Sequence, residues 1–201
     1  MKILAAADIH GDLSLVEKLV EKAKKEDVDS IILAGDLFKS NQEPFDIVGK
    51  FSSLKKPVFL IPGNHETLST VDFVAKIYGA VNLHGYAVKT DDIGFFGVSA
   101  VNIGPYFHDS EEKMEELLKK SFEYIKDSEK KILVTHVPPS NVSFEKLSPF
   151  VSGSNIVEKI IKELQPDIAI SGHIHEASGI EEKIGKTKII NVSRTGKIIE
   201  L

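Results

Sequence analysis

The sequence predicts an α/β fold in which parallel strands carry helices on their faces. Three observations lead there. Short apolar runs alternate with segments whose apolar residues recur at helical spacing, strand-like pieces crowd the C-terminal end, and polar residues follow the apolar runs directly.

The first run, KILAAA (2–7), reads as a buried strand. In SLVEKLVEKAKKE (14–26), Leu15, Val16, Leu19, Val20 and Ala23 recur at helical spacing, and Ser14 with Glu17 fits a capping box. SIILAG (30–35) is the second strand, a helix is expected around 44–54, PVFLIPG (57–63) is the third strand, and another helix follows near 68–78. This β-α-β-α-β order predicts parallel pairing. The middle changes character. YAVKT (86–90) and IGFFGVSAV (93–101) flank Asp91-Asp92 and read as a hairpin. Residues 110–128 form an amphipathic helix, with Met114, Leu117, Leu118, Phe122 and Ile125 on one stripe and a solvated Lys/Glu face opposite. KKILVT (130–135) returns to strand, NIVEKIIKELQ (155–165) to helix and DIAIS (167–171) to strand. EEKIG, TKIINVS and GKIIEL close the chain as short strands. No composition break or Pro/Gly/Ser-rich linker divides it, so residues 1–201 are expected to form one domain.

Composition narrows the function. At 201 residues and 42% hydrophobic, the chain is long enough to bury a substantial core. No apolar run approaches the ~20 residues of a membrane helix, and the N-terminus lacks signal-peptide features, so a soluble cytoplasmic protein is expected. There is no cysteine, which excludes disulfides, thiolate metal sites and thiol nucleophiles. A metal could be held only by imidazole, carboxylate and amide oxygen, a set that suits manganese, iron, zinc or similar ions. The net charge is −5, against general duplex-DNA binding.

The polar residues after the strands form a pattern. KILAAA ends in Asp8-Ile9-His10, SIILAG in Asp36, PVFLIPG in Asn64-His65, KKILVT in His136, and DIAISG in His173-Ile174-His175. Each alone has an ordinary reading: an Asp caps the next helix, Asn64 makes a turn, a histidine satisfies a hydrogen bond. Together they stand where open α/β sheets bind ligands, beyond the carboxyl ends of parallel strands. Along extended chain, His173 and His175 would point the same way. Burying carboxylates among imidazoles is costly without a cation, and eight groups exceed what one ion takes. Two ions sharing a carboxylate is the economical count, and paired ions suit phosphoryl chemistry.

The blocks DIHGD, GDLF, GNHE, THVPP and GHIHE, spread from residue 8 to residue 176, together resemble the signature of the calcineurin-like metallophosphoesterases, above all their compact prokaryotic branch. That resemblance implies two mixed β-sheets packed as a sandwich flanked by helices, in four α/β/β/α layers. It implies Asp8, His10 and His175 on one divalent metal, Asn64, His136 and His173 on a second, and Asp36 bridging. Manganese is expected first, with iron, zinc, nickel or cobalt as alternatives. His65 would face the scissile phosphate and serve the leaving oxygen. The implied reaction is hydrolysis of small-molecule or nucleotide phosphate esters, diesters first, by in-line attack of a metal-bridging hydroxide. Phosphomonoesters or phosphoproteins are alternative substrates, and a non-catalytic scaffold binding a partner protein is the competing class. Retention of His65 and all seven ligands favours the enzyme.

Two departures stand out. Glu66 replaces the commoner Asp and is expected to lie behind the ligands with little effect, and NVSR (191–194) stands where relatives carry an Asn-Pro-Gly-type turn. Arg194 reads first as a surface arginine, with a substrate-phosphate contact as the alternative. His84 and His108 read as turn or surface residues, and the 102–110 loop, with Tyr106 and Phe107, as a candidate wall of the substrate entrance. GIEEKIGKT (179–187) is no P-loop, having five residues between its glycines and a strand pattern after them.

Overall fold

A computed structural model describes residues 1–39, 45–101, 109–148 and 151–201. The chain begins β1 (Lys2–Ala6), α1 (Leu13–Glu26), β2 (Ser30–Ala34), α2 (Phe45–Ser52), β3 (Val58–Ile61), α3 (Leu68–Tyr78). It continues β4 (Val81–Asn82), β5 (Ala87–Thr90), β6 (Ile93–Val98), α4 (Glu111–Ile125), β7 (Lys130–Thr135), α5 (Asn155–Leu164). It ends β8 (Ile168–Ser171), β9 (Glu181–Ile184), β10 (Thr187–Asn191), β11 (Lys197–Glu200), with 3-10 turns at Ser143–Leu147 and His175–Ala177.

Alternation along the strands creates the layers. Leu4, Ala6, Ile31, Leu33, Val58 and Leu60 point to one side, under Val16 and Leu19 of α1, Val48 and Phe51 of α2, and Val71 and Val74 of α3. Their neighbours Ile3, Ala5, Ile32, Ala34, Phe59 and Ile61 point the other way, into a middle core shared with Phe95, Ile132, Val134, Ile168, Ile170 and Ile190 of the other sheet. Phe96, Leu133, Ala169 and Ile189 then face outward, beneath α4 and α5. Both faces of the central strands are covered, so they read as unbroken apolar runs. The expected four-layer sandwich is what forms.

Among the described residues, one sheet has the order β11-β1-β2-β3-β4 and the other β5-β6-β7-β8-β10-β9. Both are mixed. β1, β2 and β3 are parallel with β11 antiparallel on β1, and β6, β7, β8 and β10 are parallel between antiparallel β5 and β9. The Asp91-Asp92 hairpin forms, with Thr90 opposite Ile93. The GIEEKIGKT segment is a β9–β10 hairpin pairing Ile184 with Thr187, which removes any P-loop reading. The polar face of α4 lies in water, where Glu115 meets Lys119 and Lys159. Among the described residues, no helix is long and apolar enough to cross a membrane.

Local details differ from expectation. Helix α1 begins at Leu13, and its N-cap is Asp12, whose carboxylate accepts from Leu15 N at 3.0 Å. Ser14 already lies in the first turn and donates its hydroxyl to Asp12 Oδ1, so no capping box forms there. Strand β4, two residues pairing with β3, was too short to show periodicity. His84 is buried, not superficial: its Nδ1 accepts from Ser99 N at 3.0 Å, and its Nε2 lies 2.7 Å from Asp109 Oδ2. Residues 102–108, with Tyr106, Phe107 and His108, lie outside the described residues.

Candidate metal centre

Each donor sits on the loop that follows a parallel strand: Asp8 and His10 after β1, Asp36 after β2, Asn64 and His65 after β3, His136 after β7, and His173 and His175 after β8. Backbone turns there are tight. Asp8, His10, Asp36 and His173 adopt left-handed φ values of 57°, 47°, 52° and 69°. Each costs about 1–3 kcal/mol and persists only where neighbours over-determine it. Cross-loop bonds do so: Asp8 N donates to Gly35 O at 3.0 Å, His10 N to Asp36 O at 2.9 Å, and Gly172 N to His136 O at 2.9 Å. Gly172 must be glycine, because a Cβ would come within 2.7 Å of Asp8 Oδ2 and 2.5 Å of Ala7 Cβ.

The seven proposed ligands and His65 converge. Three groups have donor atoms within 4.8 Å of one another: Asp8, His10 and His175; His10, Asp36 and His65; and Asp36, His136 and His173. Asn64 joins the last, its Oδ1 being 3.1 Å from His136 Nε2. His173 and His175 do not point the same way, as extended chain would require. The left-handed turn at His173 sends its Nδ1 to within 3.1 Å of His136 Nε2, while His175 Nε2 lies 3.3 Å from Asp8 Oδ1 and from His10 Nε2. Separate groups receive the two rings.

The donor chemistry fits divalent cations. Asp8 Oδ1 is fully buried and faces imidazole nitrogens, His175 Nε2 at 3.3 Å and His10 Nε2 at 4.0 Å. His136 Nδ1 lies 2.9 Å from Ala34 O, so it carries a proton and turns Nε2 inward. Around that Nε2 stand Asn64 Oδ1 and His173 Nδ1 at 3.1 Å and Asp36 Oδ2 at 3.5 Å, oxygen and nitrogen atoms suited to share a proton or a cation.

Without a cation, protons take that place. Burial works against charge on His136, yet Asp36 outweighs it and lifts the imidazole to about 9. Burial, and then the charge of His136, push His173 down to about 4. For Asp36 burial opposes ionisation, but His136, His65 and His10 hold its carboxyl well below the usual range. Asp8 is likewise lowered, by His175 and His136 against burial. Asp8 in turn raises His175, whereas burial lowers His10.

Two buried side chains, Glu66 and Asn191, frame the donors. Glu66 accepts four backbone N–H groups, from Asp36 (3.0 Å) and Gly63 (2.7 Å) on Oε2 and from Leu37 and Phe38 on Oε1. It therefore fixes the loop that presents Asp36. Burial and the charge of Asp36 push its own carboxyl up to about 7. Asn191 donates Nδ2 to Gly172 O and Ile174 O, both at 3.1 Å, and accepts Ser193 N on Oδ1. It clamps the loop that carries both His173 and His175. A glutamate two residues after Asn64 and an asparagine starting NVSR were the only sequence signals for these roles.

Known proteins resemble this chain in sequence and in fold. An uncharacterized metallophosphoesterase of Helicobacter pylori is 22% identical over 182 residues, 87% of this chain and 44% of that protein. The chain thus spans less than half the length of that relative. A crystal structure from Thermus thermophilus matches with a TM-score of 0.76 at 21% identity, covering 96% of this chain and 90% of that one. A dimetal phosphatase from Danio rerio matches with a TM-score of 0.68 at 13% identity, covering 95% and 86%. At such identities the likeness is one of fold. The family model for calcineurin-like phosphoesterases spans residues 1–177, every strand-end donor included, and the chain belongs to that family.

Proposed function

We propose that this protein hydrolyses phosphate esters, phosphodiesters above all, with two divalent cations side by side. Asp8, His10 and His175 are assigned to one cation, Asn64, His136 and His173 to the other, and Asp36 to both. One observation carries the reading: the donor groups meet at Asp36 Oδ2, 3.7 Å from His10 Nε2 and 3.5 Å from His136 Nε2. Manganese is the cation first expected of this nitrogen and oxygen set. When bound, such a pair would supply Lewis acidity and would lower the pKa of a water enough to make hydroxide available near neutral pH.

The chain's own groups do the rest. Ala34 O fixes the tautomer of His136, and Glu66 holds the Asp36 loop. His65 donates its backbone N–H to Asp36 Oδ1 at 3.0 Å, and its ring, 37% exposed, stays at the rim with Nε2 3.9 Å from Asp36 Oδ2. It is assigned to donate a proton to the leaving oxygen, while the Asn64 amide bears charge on a phosphoryl oxygen. Diester preference is supported by the likeness of THVPP and GHIHE to the compact branch of the family.

The test is turnover of aryl mono- and diesters by purified protein loaded with Mn²⁺. Diester turnover is expected, and Asp36→Asn should abolish paired metal binding and activity together. Failure with every divalent cation would refute the hydrolase reading and leave a scaffold.

A further inference from the structure

Arg194 is the only arginine among the 25 lysines and arginines, and the fold sets it against Ala7 and Asp8, at the edge of the candidate metal centre. Its backbone N–H donates to Ala7 O at 2.9 Å, stitching the turn after β10 onto the end of β1, just before Asp8. Its φ is 61°, a left-handed conformation that suits glycine and costs a long side chain strain. The turn brings the guanidinium back to the β1 end, where Nη1 donates to Asp8 O at 3.3 Å. That is its one hydrogen bond among the described residues, and the side chain is 42% exposed. Asp12 Oδ2 stands off at 4.0 Å, its other oxygen engaged in capping α1. The charge also reaches His175, which is itself partly exposed. A planar fork with spare N–H donors thus borders the Asp8, His10 and His175 group, in a chain that otherwise uses lysine.

We infer that Arg194 binds a phosphate oxyanion of the substrate at the rim beside His175, and so determines specificity for the anionic group. The inference rests on the hydrolase reading above. Guanidinium matches phosphate oxygens two at a time, which a lysine ammonium does not. The oxyanion belongs either to the scissile phosphate or to a second phosphate beyond it.

Calorimetric titration of the Mn²⁺-loaded protein with inorganic phosphate and with pyrophosphate separates these sources. Arg194→Gln should weaken binding about 10–100-fold, as loss of a charge-assisted pair does, with metal content at the wild-type level. Arg194→Lys should retain part of the affinity. Weakening of both ligands assigns the scissile phosphate, and weakening of pyrophosphate alone assigns a second one. In ester hydrolysis the same variant should lose more in KM than in kcat. Unchanged affinity for both ligands overturns the inference, as does loss of metal from Arg194→Gln, which would make the residue a support for Asp8. Wild-type protein that hydrolyses no ester overturns the hydrolase reading instead, and the titrations then judge Arg194 by themselves.

Discussion

Glu66→Gln tests whether one carboxylate organises the loop beneath Asp36. Each oxygen of Glu66 accepts two backbone N–H groups, so an amide in its place puts an NH₂ against two buried donors whichever way it flips. Leaving a buried donor unsatisfied costs about 1–3 kcal/mol, and two cost about 2–6 kcal/mol. Removing the charge relieves repulsion from Asp36, which places the expected loss in the lower half of that range. Urea unfolding of the chelator-treated chain, followed by circular dichroism, reads the difference. Glu66→Asp keeps both oxygens as acceptors and should fall between Gln and wild type. The pH dependence adds a sign. Because the folded carboxyl titrates near 7 instead of 4.5, its contribution is fully present below 4.5 and is lost as pH rises through 7. The Gln variant should lack that part of the decline. A Gln variant within about 0.5 kcal/mol of wild type, the scatter of an ordinary surface substitution, would refute the four-donor clamp.

Further outcomes follow from the same geometry. His65→Ala should keep full metal content yet lose roughly 10²–10⁴-fold in turnover, the span of a general acid; loss of metal would make it a ligand. Asn191→Ala frees the Gly172 and Ile174 carbonyls and should lower metal affinity about 10–100-fold in chelator competition, and unchanged affinity would deny it the clamp. Metal uptake at pH 7.5 should release protons, since His136 titrates near 9 in the free protein. Calorimetry in buffers of different ionisation enthalpy would show it, and a buffer-independent enthalpy would contradict it.

What could be read from the sequence divides along a physical line. Strands buried on both faces announce themselves as apolar runs, and parallel pairing brings whatever follows them together, so the meeting of Asp8, Asp36, Asn64 and His136 at one end of the sheets is legible from position alone. The scaffolding behind them was harder to see. Glu66 reaches the N–H of Asp36 across 30 residues, and Asn191 reaches Gly172 across 19, through side chain to backbone bonds with no local periodicity. His84 failed for a related reason: its burial comes from Ser99 and Asp109, partners that no window around NLHGY contains. The cap of α1 lies two residues earlier than expected because Asp12 and Ser14 both suit the position, and it is the Asp12 carboxylate that takes the Leu15 N–H.

The two-sided apolar strands carry a further consequence. In an ordinary half-exposed sheet, sliding a strand by one residue swaps oil for water and is penalised at once. Here Ile31 and Ile32, or Val58 and Phe59, could trade sides with little change in greasiness. Side chain to backbone bonds at their tips oppose such a slide, because a one-step slip would pull the Asp36 N–H away from Glu66 and the Ala34 carbonyl away from His136. The cluster at the strand ends thereby doubles as the notch that indexes the sandwich.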